Sequence, residues 1–337
     1  MSVQMRVLPF MQPSVPRRRA IIVATTGRRK FARAGGGRGA YVIDRDHPAR
    51  GVLMMIAAQA VFGVTDALQK WLMDSVPLML VVCSRFALFV IFLAPAVLRR
   101  PARVAASPGR GLMILRGCAF LGATVLTAAA LVRMPLATVT VLAFVGPFVV
   151  TALSALVLGE QVGWRRWSAI AVGFAGMLIV VRPGAGAASL GWDALLVLAA
   201  ALCWSVGMIA TRKLAGRADA TTMLIWHAAV ACALSLPFAI VTWKTPSAIE
   251  AGLLLVNGCV NLVGQWLIVR ALQLAPVATV APLTYTVLLW AILLGWLVFG
   301  TLPDGWTLAG AGIIIASGLY VWWREQVRAR RRGAPQG

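Results

Sequence analysis

Apolar residues in this chain gather into runs of about 18–24, parted by short breaks of polar, glycine or proline positions, and each run can cross a hydrocarbon core near 30 Å. Ten runs are read as membrane-spanning helices: roughly 51–71, 77–98, 111–132, 135–158, 164–182, 191–211, 221–243, 250–272, 276–299 and 305–323. The expected fold class is therefore an all-α membrane protein with ten transmembrane helices. The tightest breaks fall at Pro135 and Pro276, where neighbouring runs almost fuse.

The pattern also occurs twice. Residues 116–139 and 257–280 share ten of 24 positions without a gap, among them Gly117/Gly258, Cys118/Cys259, Pro135/Pro276 and Thr138/Thr279. With a one-residue slip the register reaches Gly163-Trp164/Gly305-Trp306, and backwards it pairs Arg85 with His227 and Pro95 with Pro237. Shared Ala, Leu and Val would match by chance, but Pro, Gly, Cys and Trp in one register would not. The predicted organisation is a basic segment 1–50, a first repeat 51–183, a second repeat 191–323 and a basic tail 324–337. Five spans per repeat is odd, so the second copy enters the membrane upside down, giving inverted-topology repeats. Such a duplication is the sequence signature of a secondary transporter with its site between the halves.

Composition agrees. The chain is 60% hydrophobic and 12% charged, whereas ordinary soluble domains are near a quarter charged. A formal charge of +22 would suggest nucleic acid in a soluble protein. Its placement points elsewhere: half of the 32 Lys/Arg lie in 1–50 and 324–337, and most of the others in alternate loops. That is the positive-inside pattern, which puts both termini in the cytoplasm and predicts anionic lipid, not nucleic acid, at the basic tails. Residues 1–50, with Arg17-Arg18-Arg19 and Arg28-Arg29-Lys30, read as a disordered tail; a mis-assigned start codon is the alternative, since nothing before about Asp44 joins the repeat. The five cysteines lie in apolar runs without metal-ligand spacing and read as packing residues.

The segments Pro135-Leu136-Ala137-Thr138 to Leu158-Gly159-Glu160 and Gly173-Phe174-Ala175-Gly176 to Arg182-Pro183, with the second copy around Pro276, resemble EamA-type proteins of the drug/metabolite transporter superfamily. The resemblance covers residues 51–325. Asp66-Ala67, Lys70-Trp71, Ser84-Arg85-Phe86, Leu115-Arg116-Gly117 and Leu302-Pro303-Asp304 look like the subgroup that includes S-adenosylmethionine and riboflavin uptake carriers. Neighbouring members export amino acids or opine-type metal chelators, so the direction of transport does not follow. The chain departs from the pattern in its long basic N-terminus, and in Thr301 where the first repeat has Glu160. The resemblance implies a carrier of a vitamin, nucleoside-like, amino-acid or opine-type compound in the bacterial inner membrane.

An ionisable group inside a span costs roughly 2.5–3.5 kcal/mol and usually faces a cavity or a partner. Gln59, Gly63, Asp66 and Lys70 follow one another at spacings of 4, 3 and 4, a polar stripe on the first helix. Asp66 is the one carboxylate that reads as embedded, hence the proton-coupling candidate; an ion pair with Lys70 or Arg85 is the structural alternative. Arg85 could hold an anionic group, and its repeat partner His227 could titrate or simply pack. Asn257, Asn261 and Gln265 put three amides on one face of the eighth span. Arg116, the counterpart of Asn257, reads as snorkelling to the cytoplasmic surface. Phe144, its partner Tyr285, and Trp204 are ring candidates beside a cavity, while most other tryptophans fall at span ends as an interfacial belt. Gly146, Pro147 and Pro282 interrupt spans four and nine and are hinge candidates.

No phosphate-binding loop, HExxH or Ser/His/Asp set is present, so neither an enzyme nor a cofactor is expected, and His47 and His227 cannot build a metal site. The reading is an inner-membrane carrier of a small-molecule substrate, driven by substrate gradients or protons and working by alternating access. It could also pair with a second copy of itself. The rivals are a membrane sensor or scaffold and an intramembrane lipid-modifying enzyme.

Overall fold

Among the described residues, ten helices long and apolar enough to span a membrane, two of the spans broken along their length, account for the fold. The computed structural model describes residues 48–99, 109–159, 163–183, 191–214, 217–218, 220–275 and 277–333. The basic segment before residue 48, and Glu160 and Pro276, lie outside them. The first repeat runs α1 (Pro48–Leu72), α2 (Leu78–Arg99), α3 (Arg110–Arg133), α4 (Leu136–Ala143), α5 (Gly146–Leu158) and α6 (Trp164–Val181). The second runs α7 (Asp193–Leu214), α8 (Ala220–Val241), α9 (Ala248–Leu274), α10 (Val277–Val280), a 3₁₀ turn (Ala281–Tyr285), α11 (Thr286–Phe299) and α12 (Gly305–Gly333). The last helix continues past the apolar stretch through the basic residues to Gly333.

Local chemistry explains the ends. Ser247 and Glu250 form a reciprocal capping box at the start of α9, with Glu250 Oε2 accepting from the Ser247 N–H at 2.7 Å. Gly159 and Gly300, equivalent in the two repeats, close α5 and α11 in the left-handed region at φ 66° and 65°, where a side chain would be strained. The proline-induced breaks fall where the sequence places them. In span four, Phe144 and Val145 separate α4 from α5, and Pro147 occupies the first turn of α5. In span nine, Pro282 sits inside the 3₁₀ turn.

The two repeats interlock rather than standing side by side. The main helix contacts are α3 with α7, α1 with α9, α6 with α12 and α2 with α8, and all four cross from one repeat to the other. The inverted symmetry is visible in single residues. An ideal Cβ on Gly117 in α3 would lie 2.7 Å from Val230 Cβ in α8, and one on Gly258 in α9 would lie 2.2 Å from Leu88 Cδ1 in α2. Gly117 and Gly258 are repeat partners, as are Leu88 and Val230. Small residues at such crossings let helices approach closely where lipid offers no hydrophobic drive. Cys203 fills the space over Gly122, in keeping with its reading as a packing residue, whereas Cys259 is exposed.

With an even number of spans, the two ends of the described chain share one face, the terminal face; the other is the distal face. Polar ties join neighbouring segments at the distal face. Lys70 Nζ donates to the backbone oxygens of Leu131 and Met134, and Lys244 Nζ to that of Ser75 at 2.7 Å. Arg133 pairs with Asp193 at 3.1 Å and Arg182 with Asp304 at 2.5 Å. Trp71, Trp164, Trp192, Trp243, Trp306 and Trp323 are exposed at span ends, the belt that amphipathic rings form at a membrane surface.

Candidate functional site

A cavity of about 720 Å³ lies between the repeats, lined by α1–α5 and by α7, α8, α9 and span nine. Leu131 and Val139, which are 1% and 2% exposed, line its distal end. From there it runs to Arg116 and Leu224, near the terminal ends of α3 and α8.

The break in span four shapes one wall. Ala143, Phe144, Gly146 and Pro147 all line the cavity, because an interrupted helix turns backbone and short side chains inward. Ser205 of α7 donates to the Gly146 carbonyl at 3.4 Å and to its own Ala201 carbonyl at 2.7 Å. Trp204 stands next to Gly146: a Cβ there would lie 3.2 Å from Trp204 Cε3, so glycine gives the indole its place on the wall. Phe144 and its repeat partner Tyr285 touch, ring centres 4.7 Å apart. Residues that contact their own symmetry partners lie on the pseudo-two-fold axis, so the axis passes beside this wall.

The opposite wall carries the charges. Arg85 of α2 donates from Nη1 to Gln69 Oε1 at 3.3 Å, and its buried Nε has no partner. Its guanidinium is 5.6 Å from the centre of the Phe86 ring. Phe86 meets His227 edge-on at 5.3 Å, and Phe120 also meets it edge-on at 5.4 Å. The Arg116 guanidinium then lies 4.8 Å from the Phe120 ring centre. Two arginines thus bracket a histidine held between two phenyl rings, each cation facing a π-system. Asp66 lines the cavity from α1, near enough to Arg85 to attract it, yet the two form no salt bridge. His227 Nδ1 and Asn261 Oδ1 are buried without partners.

Of the residues singled out in the sequence, Asp66, Arg85, Phe144, Gly146, Pro147, Trp204, His227, Asn261 and Gln265 all line the cavity. Five others lie outside that lining. Gln59 is buried and donates to Met55 Sδ at 3.3 Å. Lys70 turns its ammonium to the last carbonyls of α3 and lies 5.5 Å from the Phe299 ring, forming no ion pair with Asp66. The stripe on α1 therefore divides among three neighbours: Gly63, between these residues, packs on Trp290, and only Asp66 reaches the cavity. Asn257 is fully buried, its amide atoms unpartnered, away from the lining. Tyr285 packs behind Phe144, its hydroxyl against Gly318, and Pro282 is also outside the lining.

Arg116 does not snorkel. Its Nε donates to Thr211 Oγ1 at 2.8 Å and its Nη1 to the Met223 carbonyl at 2.9 Å, which turns the head inward. With Phe120 and Thr124 it forms a cavity-lining stripe on α3. The repeat register carries part of this signal, because Phe120 and Thr124 are the counterparts of the lining residues Asn261 and Gln265, whereas Asn257, the counterpart of Arg116, is buried outside the lining. Gln69, Phe86, Thr127 and Thr140 also line the cavity and carry no comparable signal.

Residues 49–182 and 191–323 each match the EamA-like transporter family. Similar proteins include the riboflavin transporter of Vibrio cholerae, 27% identical over 85% of this chain and 97% of that protein. The S-adenosylmethionine uptake transporter of Rickettsia prowazekii is 27% identical over 82% and 93%. The pseudopaline exporter of Pseudomonas aeruginosa is 30% identical over 79% and 94%. A solved crystal structure, 19% identical, superposes with a TM-score of 0.55 over 86% of this chain and 100% of its own, a likeness of fold alone.

Proposed function

Because the chain belongs to the EamA-like transporter family, within the drug/metabolite transporter superfamily, we propose that it is a secondary carrier that moves a small organic metabolite across the bacterial inner membrane by alternating access. One observation carries the reading: a cavity lined from both inverted repeats extends from buried residues near the distal face, Leu131 and Val139, toward Arg116 and Leu224 near the terminal face. Inverted halves can exchange conformations and offer one central site to either side in turn. The positive-inside pattern favours placing the terminal face in the cytoplasm, with the basic tails against anionic lipid.

The breaks at Phe144–Val145 and Ala281–Tyr285 are the hinges on which the halves would move, because unwound backbone absorbs rotation at low cost. Asp66 is the proton site in this reading: it faces the cavity, and no ion pair holds it in one charge state. The similar proteins that handle riboflavin, S-adenosylmethionine and pseudopaline favour a substrate of vitamin, nucleoside-like, amino-acid or opine type.

Metabolite profiles of cells and medium, compared between a deletion strain and an overexpressor, test the proposal. A compound retained by the deletion strain and released by the overexpressor identifies an exporter. A compound left in the medium by the deletion strain identifies an importer. Identical profiles across several growth media would overturn the carrier reading.

A further inference from the structure

The charges on the cavity wall do not balance. Arg85 and Arg116 line it with Asp66 as the one carboxylate among the lining residues, which leaves a guanidinium without a counter-ion. Inside a membrane an uncompensated cation is costly, and such residues pair with an opposite charge or mark a path for one. Arg85 has Asp66 close by. Arg116 has no carboxylate in salt-bridge range among the described residues, and its bonds to Thr211 and Met223 use two of the five donors a guanidinium carries. Those two bonds, with the Phe120 ring, fix the plane of the fork, and no further hydrogen bond from Nη2 or the second Nη1 hydrogen is made among the described residues.

Position gives Arg116 a role that Arg85 cannot share. Arg116 is six residues into α3, about 9 Å from the terminal end, and Arg85 is seven into α2, about 10 Å from the distal end. Between them the other wall presents Phe144 and the 36% exposed ring of Trp204. A fork fixed in plane matches the two oxygens of a carboxylate or phosphate, and flat aromatic faces match a flat ring. The buried, unpartnered Asn261 Oδ1 adds an acceptor for a ring N–H or hydroxyl. We propose that the substrate is a planar organic anion, its ring beside Trp204 and Phe144 and its carboxylate or phosphate on Arg116, the first cation met from the terminal side. This rests on the carrier reading and names the substrate class of the same cavity.

The test uses the full-length protein purified in detergent and two matched pairs of probes. Nicotinate against nicotinamide isolates a carboxylate on a small ring, and flavin mononucleotide against riboflavin isolates a phosphate on a large one. Binding is read from thermal stabilisation over a concentration series at constant ionic strength. In at least one pair the anionic member binds tenfold or more tightly than its neutral partner; which pair responds separates carboxylate from phosphate. Arg116→Gln removes that preference while the neutral member binds as before, and Arg116→Lys, which keeps the charge without the fork, keeps a reduced part of it. Since Arg116 also ties α3 to α7 and α8, both variants are first shown to be monodisperse. If Arg116→Gln does not fold, the Lys variant decides the role of the fork. Equal or tighter binding of the neutral members, or an anion preference unchanged in the variants, overturns the proposal, as does the absence of any shift with all four probes. None of these results touches the carrier reading, which the metabolite profiles judge separately.

Discussion

Lys70 offers the sharpest test of how the distal face is closed. Its ammonium satisfies the carbonyls of Leu131 and, at 2.9 Å, Met134, oxygens at the end of α3 that have no partner within their own helix. It also faces the Phe299 ring of α11, so one side chain ties α1 to both neighbours at the distal end of the cavity. Lys70→Met keeps the stem and removes the charge. Two hydrogen bonds from a charged donor are worth about 3–6 kcal/mol together. Taking a cation out of a span returns at most roughly 2.5–3.5 kcal/mol, the value for a span's centre, and less at this span end. The net loss is at least about 1.5 kcal/mol, or about a tenfold or greater shift toward a distally open state. Val139, buried at that end, reports the opening. In a chain whose five native cysteines are replaced, Val139→Cys is labelled with a membrane-impermeant maleimide in vesicles that present the distal face. The Lys70→Met variant should label at least about tenfold faster from that side. Rates within twofold of the parent, in a variant that remains monodisperse, would refute the role of Lys70 as a distal latch.

Three further outcomes are expected. Gly310→Ala would place a Cβ 2.4 Å from Val180 Cγ2 and 2.5 Å from the Gly176 carbonyl oxygen, forcing α6 and α12 apart at a cost of about 1–3 kcal/mol; Gly312→Ala meets nothing within 4 Å and should be neutral or stabilise by up to about 1 kcal/mol, and thermal midpoints in detergent compare them. The N–H and hydroxyl of Thr307, and then Arg182, hold the Asp304 carboxyl below its ordinary range, so its contribution is complete at neutral pH and fades as pH falls through about 4 toward that lower value. Asp304→Asn should accordingly lose a little stability at pH 7, little because the side chain is 42% exposed, and the gap to the parent should narrow in acid; a gap that widens as pH falls would contradict the sign. Asp66→Asn should insert normally and lose the pH dependence of flux in vesicles, and a pH dependence matching the parent would remove Asp66 from proton coupling.

How much of the site was legible in the sequence differs from residue to residue. Asp66, Arg85 and His227 stood out because an ionisable group in an apolar run has few other places to go, and all three line the cavity. Gln59, a polar group, and Lys70, an ionisable one, stood out on the same stripe yet found other partners, one in a sulfur four residues away and the other in backbone carbonyls at the end of another helix. Both are ways to satisfy a polar group that a one-dimensional pattern does not distinguish from a cavity. Arg116 shows the limit of the pattern, because a long side chain near a span end can turn outward or inward. Here Thr211 and the Met223 carbonyl, contributed by helices distant in the chain, turn it inward.

The sequence by itself determined the number of spans, their duplication and their inversion, because hydrocarbon thickness sets the length of each apolar run and an odd count per copy flips the second. It also determined where spans four and nine break, since proline cannot complete a helix's hydrogen bonding. Only the tertiary structure decided that α3 packs on α7 and α1 on α9, so that two units consecutive in sequence became one interlocked body around a shared cavity. The reason lies in the solvent. In water, an apolar stripe marks the face of a helix that turns inward, whereas lipid tails and a protein interior are equally apolar, so hydrophobicity no longer tells one face from the other. What remains is the fit of small residues against large ones, Gly117 to Val230 and Gly258 to Leu88, and that fit exists only once the helices are side by side.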